Sequence, residues 1–266
     1  MDDSVITARI DQNLSQQLHQ ALTANKDELF QIMQEFSGEA LLASLRNPSL
    51  DENHLLTLFK RRELSEELIT AIYAGKHTCE NHRVKFALVC HSETPSHIVA
   101  TLLPQLTIFD LLKICIIPGI TPDHRLSAER SIIQRLPMQP LGNKLTLAHR
   151  GTAAIVEALL REGMPIVVEA CLDNPHLKES SIHQFIASSK ATAETISMVA
   201  RNGRWKGRPN IRLAILKNPR TPAIWFTMFL PGLPRNTLRD LLSSSRLTFA
   251  QKELVRQVGN GRQTKE

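Results

Sequence analysis

The chain has 266 residues, 42% apolar and 22% charged, which is enough to bury a substantial core and excludes global disorder. Aromatic residues make up only 5%, and the abundance of Leu, Ile and Ala argues against a strand-rich sandwich and for packed helices. A formal charge of +6 attracts acidic partners without designating nucleic acid, and four scattered cysteines, Cys79, Cys90, Cys115 and Cys171, imply a reducing compartment rather than a disulfide framework.

The opening stretch MDDSVITARIDQNL has neither the basic start nor the continuous apolar run of a secretory signal, so a cytoplasmic location is expected. Residues 5–22 and 26–36 read as amphipathic helices, with Leu18, Leu22, Leu29, Phe30 and Met33 near helical spacing. Ser37 and Gly38 permit a turn, and residues 1–38 are expected to form an N-terminal helical cap. From Glu39 a short helix ends at Asn47-Pro48. A second begins behind Pro48 with Asp51 and Glu52 near its positive end, and a third covers 64–74 and closes at Gly75.

The next unit covers 83–121, with Pro95 at a helix start and 108–116 as a buried element. Within it, 99–120 is the greasiest stretch, but Pro104, Asp110 and Lys113 interrupt it, so buried helices are expected and no membrane span. A third unit, 127–161, lacks Asn-Pro and bends at Pro137, Pro140 and Gly142, and 141–150 reads as a turn leading into a helix. The fourth runs from Pro165 through Asn174-Pro175 to Ala200, and the fifth covers 210–257. Residues 258–266 lack apolar anchors and read as a flexible tail.

A near-repeat ties these units together. Val84, Lys85, Phe86, Ala87 and Leu88 lead to Thr94-Pro95, and 127 residues later Ile211, Arg212, Leu213, Ala214 and Ile215 lead to Thr221-Pro222. Asn47-Pro48 is answered by Asn174-Pro175 at the same spacing, and Asn218-Pro219 follows 44 residues further on. A spacing of 127 is three steps of about 42, in the range of stacked helical repeats. The expectation is an all-α chain: a right-handed alpha-alpha superhelix of about five units of 40–44 residues over 39–257. Leu88, Leu147, Leu172 and Leu216 are expected in the core, and Ala87 and Ala214 at close helix approaches.

On these Asn-Pro pairs and paired segments, residues 39–257 resemble the HEAT and armadillo-like alpha-solenoids, in particular bacterial proteins with degenerate HEAT-like repeats. The resemblance implies a protein scaffold or an enzyme-associated subunit. In one group, the alkylpurine DNA glycosylases, it implies a DNA-binding enzyme with an aromatic-lined cleft and an acidic residue. Here only Trp205, Trp225 and Tyr73 supply large polar aromatics, and no motif places a catalytic aspartate.

The strongest local candidate is the basic loop bearing Arg201, Arg204, Trp205, Lys206, Arg208 and Arg212, extended by Arg235 and Arg239. No Asp or Glu occurs between Thr195 and Arg239. Such a loop could grip phosphates while its indole stacks, or it could be an inter-repeat turn with Trp205 folded inward. At the matching positions of the earlier copy stand His77, Thr78 and Cys79. Cys79, His82, Cys90 and His91 are zinc-competent residue types at poor spacing, so no metal is expected. Glu129 and Glu169 are too far apart in sequence to argue acid–base chemistry, and no nucleotide, nucleophile-elbow or zinc-helix motif occurs. The preferred reading is a non-catalytic protein-interaction or scaffold module without cofactor. The alternative is a nucleic-acid-binding module acting through the basic C-terminal half.

Overall fold

In the computed structural model of the chain, the backbone is described for residues 3–36 and 38–261, and the side chains for 13–36, 38–77 and 80–258. The described residues form helices and turns with no strand among them, and the chain divides into two compact units, Met1–Ile132 and Ile133–Glu266.

The first unit runs α1 (Asp3–Thr23), α2 (Lys26–Glu35), α3 (Glu39–Ser44), α4 (Glu52–Leu58), α5 (Glu66–Ala74), α6 (Lys76–Glu80), α7 (His82–Cys90), α8 (Ser96–Leu102), α9 (Ile108–Ile116) and, up to Ile132, α10 (Pro122–Arg135). Side-chain caps set the starts of several of these helices. Asn25 and Asp51 each form a reciprocal capping box, and Ser65, Asn81 and Thr107 accept from the first-turn amides of α5, α7 and α9. The helices pack in two rows: α1 on α3 on α5, and α2 on α4 on α7 on α9. Between the rows lie the fully buried Leu29, Ile32, Met33, Leu55, Leu58, Ile69 and Leu88.

The second unit runs α11 (Leu141–Arg150), α12 (Ala153–Glu162), α13 (Pro165–Leu172), α14 (Glu179–Ala187), α15 (Ala193–Arg201), α16 (Pro209–Leu216), α17 (Ala223–Phe229), α18 (Arg235–Ser243) and α19 (Phe249–Gly261). Its rows follow the same plan, α11 on α13 on α15 and α12 on α14 on α16.

The 127-residue spacing is a property of the whole fold. Shifted by 127, α2, α5, α8 and α9 superimpose in sequence on α12, α15, α17 and α18 residue for residue at both ends. The 3-10 turn Leu103–Gln105 falls on Leu230–Gly232 in the same way. Core positions are answered in kind: Ile32 by Leu159, Leu55 by Ile182, Ile69 by Ile196, Val84 by Ile211, Leu111 by Leu238, all buried. Equal hydrophobic patterning at equal spacing gives each unit the same buried faces, so the chain is internally duplicated.

The Asn-Pro pairs have a role beyond stopping helices. Asn47 is buried, and its amide donates to the carbonyls of Ala21 and Ala24 at 2.9 and 3.0 Å, while its side-chain oxygen accepts from the amide of Ser49. Asn174 repeats this onto Ala148 and Gly151 at 2.7 and 3.2 Å, and accepts from His176. These carbonyls close α1 and α11, where helical partners are missing, so each asparagine satisfies a preceding helix end and holds a turn at once. Asn218 does the same work on the carbonyl of Ile186. At the equivalent first-unit position stands His91, whose Nε2–H donates to the Arg61 carbonyl while Nδ1 accepts from Glu93, so the imidazole replaces the amide in both functions. Thr94 and Thr221 complete the motif by donating to the carbonyls of Leu88 and Ile215 at 2.6 and 2.5 Å.

Three expectations are corrected. Residues 141–150 form helix α11 itself, because Pro140 sits at its N-cap and the bend falls earlier, in the 3-10 turn Leu136–Met138. Leu22 is 43% exposed while Ala21 and Ala24 are buried, because the carbonyls that receive Asn47 turn the small-residue side of α1 toward its neighbour. Helix α19 continues to Gly261, through the start of the expected tail, and 262–266 lie outside the described residues. The greasy stretch 99–120 is divided among α8, a 3-10 turn and α9, and among the described residues no helix is long and apolar enough to cross a membrane.

Candidate functional site

The basic loop joins α15 to α16 and is built on Asn202, whose backbone carbonyl accepts from Trp205 and Lys206 and whose side chain accepts from Arg204. Trp205 is buried, and its indole N–H donates to the Leu172 carbonyl at 2.9 Å. The Arg204 guanidinium lies 4.5 Å from that ring and donates to the carbonyls of Asn174, Pro175 and Leu177. Arg204 therefore ties its own loop to the turn that follows α13 through both of its terminal nitrogens. Arg208 pairs with Glu179 at 3.6 Å. Arg212 donates to the Lys206 carbonyl at 2.6 Å and lies over the Phe229 ring.

The remaining predicted residues are dispersed. Arg201 is exposed at the end of α15 and Lys206 in the loop, whereas Arg235 and Arg239 are exposed one turn apart on α18, a helix that packs on α19. The loop thus joins Arg204, Trp205, Arg208 and Arg212 into an internal brace. Trp225 is also buried, its N–H donated to the Ser197 hydroxyl at 2.9 Å.

The zinc-competent types are engaged separately. The Cys79 side chain lies outside the described residues. His82 Nε2 is 2.8 Å from Asp110, and both ring nitrogens of His91 hold backbone. Burial pushes the thiols of Cys90, Cys115 and Cys171 up to about 12, so none offers a thiolate at neutral pH. Glu129 lies on α10 and Glu169 is exposed on α13.

Asp110 is a carboxylate held by several donors at once. Burial would raise its pKa, but hydrogen bonds from the Thr107 hydroxyl, Lys113 at 3.0 Å and His82, with the Lys113 charge, bring it down to about 2. The second copy carries Pro234, Asp240, Pro209 and Thr237 at these four positions, so the cluster belongs to the first unit alone.

Open surface is found elsewhere, in grooves on the second helix row. In the first unit a cavity of about 570 Å³ is lined by Leu56, Phe59, Ala87, Cys90, Ile117 and Gly119 on one part and by the basic Lys60, Arg61 and Arg62 on another. In the second, a cavity of about 460 Å³ between α14 and α16 adjoins a smaller one of about 90 Å³, and the two share His183, Ala214 and Lys217. The smaller one is the first-unit groove displaced by 127 residues: Leu56 becomes His183, Cys90 becomes Lys217 and Gly119 becomes Arg246. Sequence reasoning passed over these positions because it sought clusters contiguous along the chain. Aligning the two copies would have shown the groove's basic residues moving from Lys60, Arg61 and Arg62 in the first to His183, Lys217 and Arg246 in the second.

The chain matches no protein-family model, no curated protein and no solved structure at a significant level. What the fold establishes is an all-helical, internally duplicated protein with paired helix packing.

Proposed function

We propose that this chain is a non-catalytic protein-recognition or scaffold module of the cytoplasm, each unit a run of HEAT- or armadillo-like helix pairs whose second row presents a binding groove. On this reading each 127-residue period holds three steps of 40–44 residues, with residues 1–38 as the cap. One observation carries it: the same groove recurs in both units at the same residue positions with different linings. A scaffold feature that recurs while its lining changes suits recognition of two different segments.

Nucleic-acid binding is the second reading, motivated by the acid-free run from Thr195 to Arg239. The protein reading is preferred because both indoles are buried and cannot stack on bases, and Arg204, Arg208 and Arg212 already have partners within the fold for which a phosphate would have to compete.

The test is a photo-cross-linking amino acid placed at Leu213 in the groove, with Glu194 on the exposed side of α15 as control, in cells producing the protein. A discrete protease-sensitive adduct from position 213 alone is expected. Adducts of equal yield from both positions would refute groove recognition, and a nuclease-sensitive adduct would favour the second reading.

A further inference from the structure

We infer that the second-unit groove takes a phosphorylated side chain of a partner polypeptide, seated on Lys217, Arg246 and His183. The inference rests on the protein-recognition reading and names the chemistry of that site. The three side chains line one small cavity together with Ala187, Ala214, Asn218 and Pro219, and no carboxylate lines it. None of the three has a side-chain hydrogen bond or ion pair among the described residues, in contrast to Arg204, Arg208, Arg212 and Arg220, which are all engaged. Cations brought together without a counter-charge repel one another, and an anion relieves that repulsion.

The fold does not require cations at these three positions. In the first copy Leu56, Cys90 and Gly119 stand there, and that groove carries its basic residues at Lys60, Arg61 and Arg62 instead, where the second copy has Ala187, Ser188 and Ser189; α7 closes without a lysine at its end. Lys217 at the C-cap of α16 is therefore not needed merely to complement a helix end. Two permanent cations and an imidazole match the charge of a phosphomonoester, about −1.5 to −2 at neutral pH, better than a single carboxylate. The adjoining cavity of about 460 Å³ gives flanking residues of a peptide room along α14 and α16. Its one acid, Glu179, is neutralised by Arg208 and hydrogen-bonded by Asn210.

The test uses the full chain and three degenerate peptide pools that differ only at a central position: phosphoserine, serine or glutamate. The phosphoserine pool is expected to bind at least tenfold more tightly than either other pool. Lys217→Ala and Arg246→Ala should each weaken it about tenfold, the scale of one charge-assisted hydrogen bond. Arg201→Ala, outside the groove, should leave it unchanged, and a helical circular-dichroism melt verifies that each variant folds. Equal binding of phosphoserine and serine pools, or of phosphoserine and glutamate pools, overturns the phosphate inference, as does absence of binding. Displacement of the phosphoserine pool by duplex DNA through the same two residues also overturns it, in favour of nucleic acid. A position-213 protein adduct that persists unchanged after phosphatase treatment of the cells overturns the phosphate inference while leaving groove recognition standing.

Discussion

Replacing Asn174 by alanine tests the element on which the duplicated fold is organised. The substitution removes three hydrogen bonds, to the carbonyls of Ala148 and Gly151 and from the amide of His176. Because the side chain is 1% exposed, water does not replace them without opening the turn. At about 1 kcal/mol net for each bond, the loss is about 3 kcal/mol. For a unit of this size that lowers the melting temperature by on the order of 10 °C. Asn47→Ala breaks the same three contacts in the first unit and should cost the same within a factor of two. Asn174→Asp should be at least as damaging, since it keeps the acceptor but turns a carboxylate toward two carbonyls. Urea unfolding followed by circular dichroism measures the loss, and hydrogen exchange should localise it to α11 and α13. A cost below about 1 kcal/mol for Asn174→Ala, with α11 still protected, would refute the argument that these asparagines clamp successive helices.

The remaining predictions concern charge, the brace and the thiols. Asp110 has a folded pKa of about 2, below its ordinary 3.8, so its contribution is present above about pH 4 and is lost as pH falls toward 2. The shift corresponds to on the order of 2 kcal/mol, so Asp110→Asn should be less stable than the parent at pH 7 and equal to it near pH 2, as read by urea midpoints. Trp205→Phe keeps most of the buried ring but loses the bond to Leu172 and weakens the Arg204 stack, so a loss of about 1–2 kcal/mol is expected by thermal melt. Arg201→Glu with Lys206→Glu tests the nucleic-acid reading without breaking the brace: steep loss of duplex binding at low salt supports it, and parent-like behaviour removes it. In a Cys79→Ser background, Cys115 and Cys171 should react with an aromatic disulfide reagent only on the timescale of unfolding, because both are buried and burial holds each thiol protonated, whereas Cys90, on the lining of the first-unit groove, should react sooner.

Local chemistry made much of the fold legible in advance. Residues 108–116 were bounded correctly because a capping threonine marks the start and Pro118-Gly119 stops the helix soon after its end, and Gly75 closes α5 as a residue suited to helix ends. The 127-residue spacing was visible in the Asn-Pro pairs, since asparagine and proline act through their own backbone. Its meaning was not visible, because nothing within one segment shows that the amide of Asn47 reaches the carbonyls of Ala21 and Ala24, 26 and 23 residues before it. The basic loop shows the same limit. Sequence counts its cations and the structure decides their partners, so Arg204 and Arg208 became a brace once the ends of α13 and α14 came within reach. His183, Lys217 and Arg246, 34 and 29 residues apart, share a cavity only because packing brings α14, the end of α16 and the turn before α19 together. Residue type and periodicity determine where helices start, stop and bury themselves. Which polar groups meet depends on the packing of helices distant in sequence.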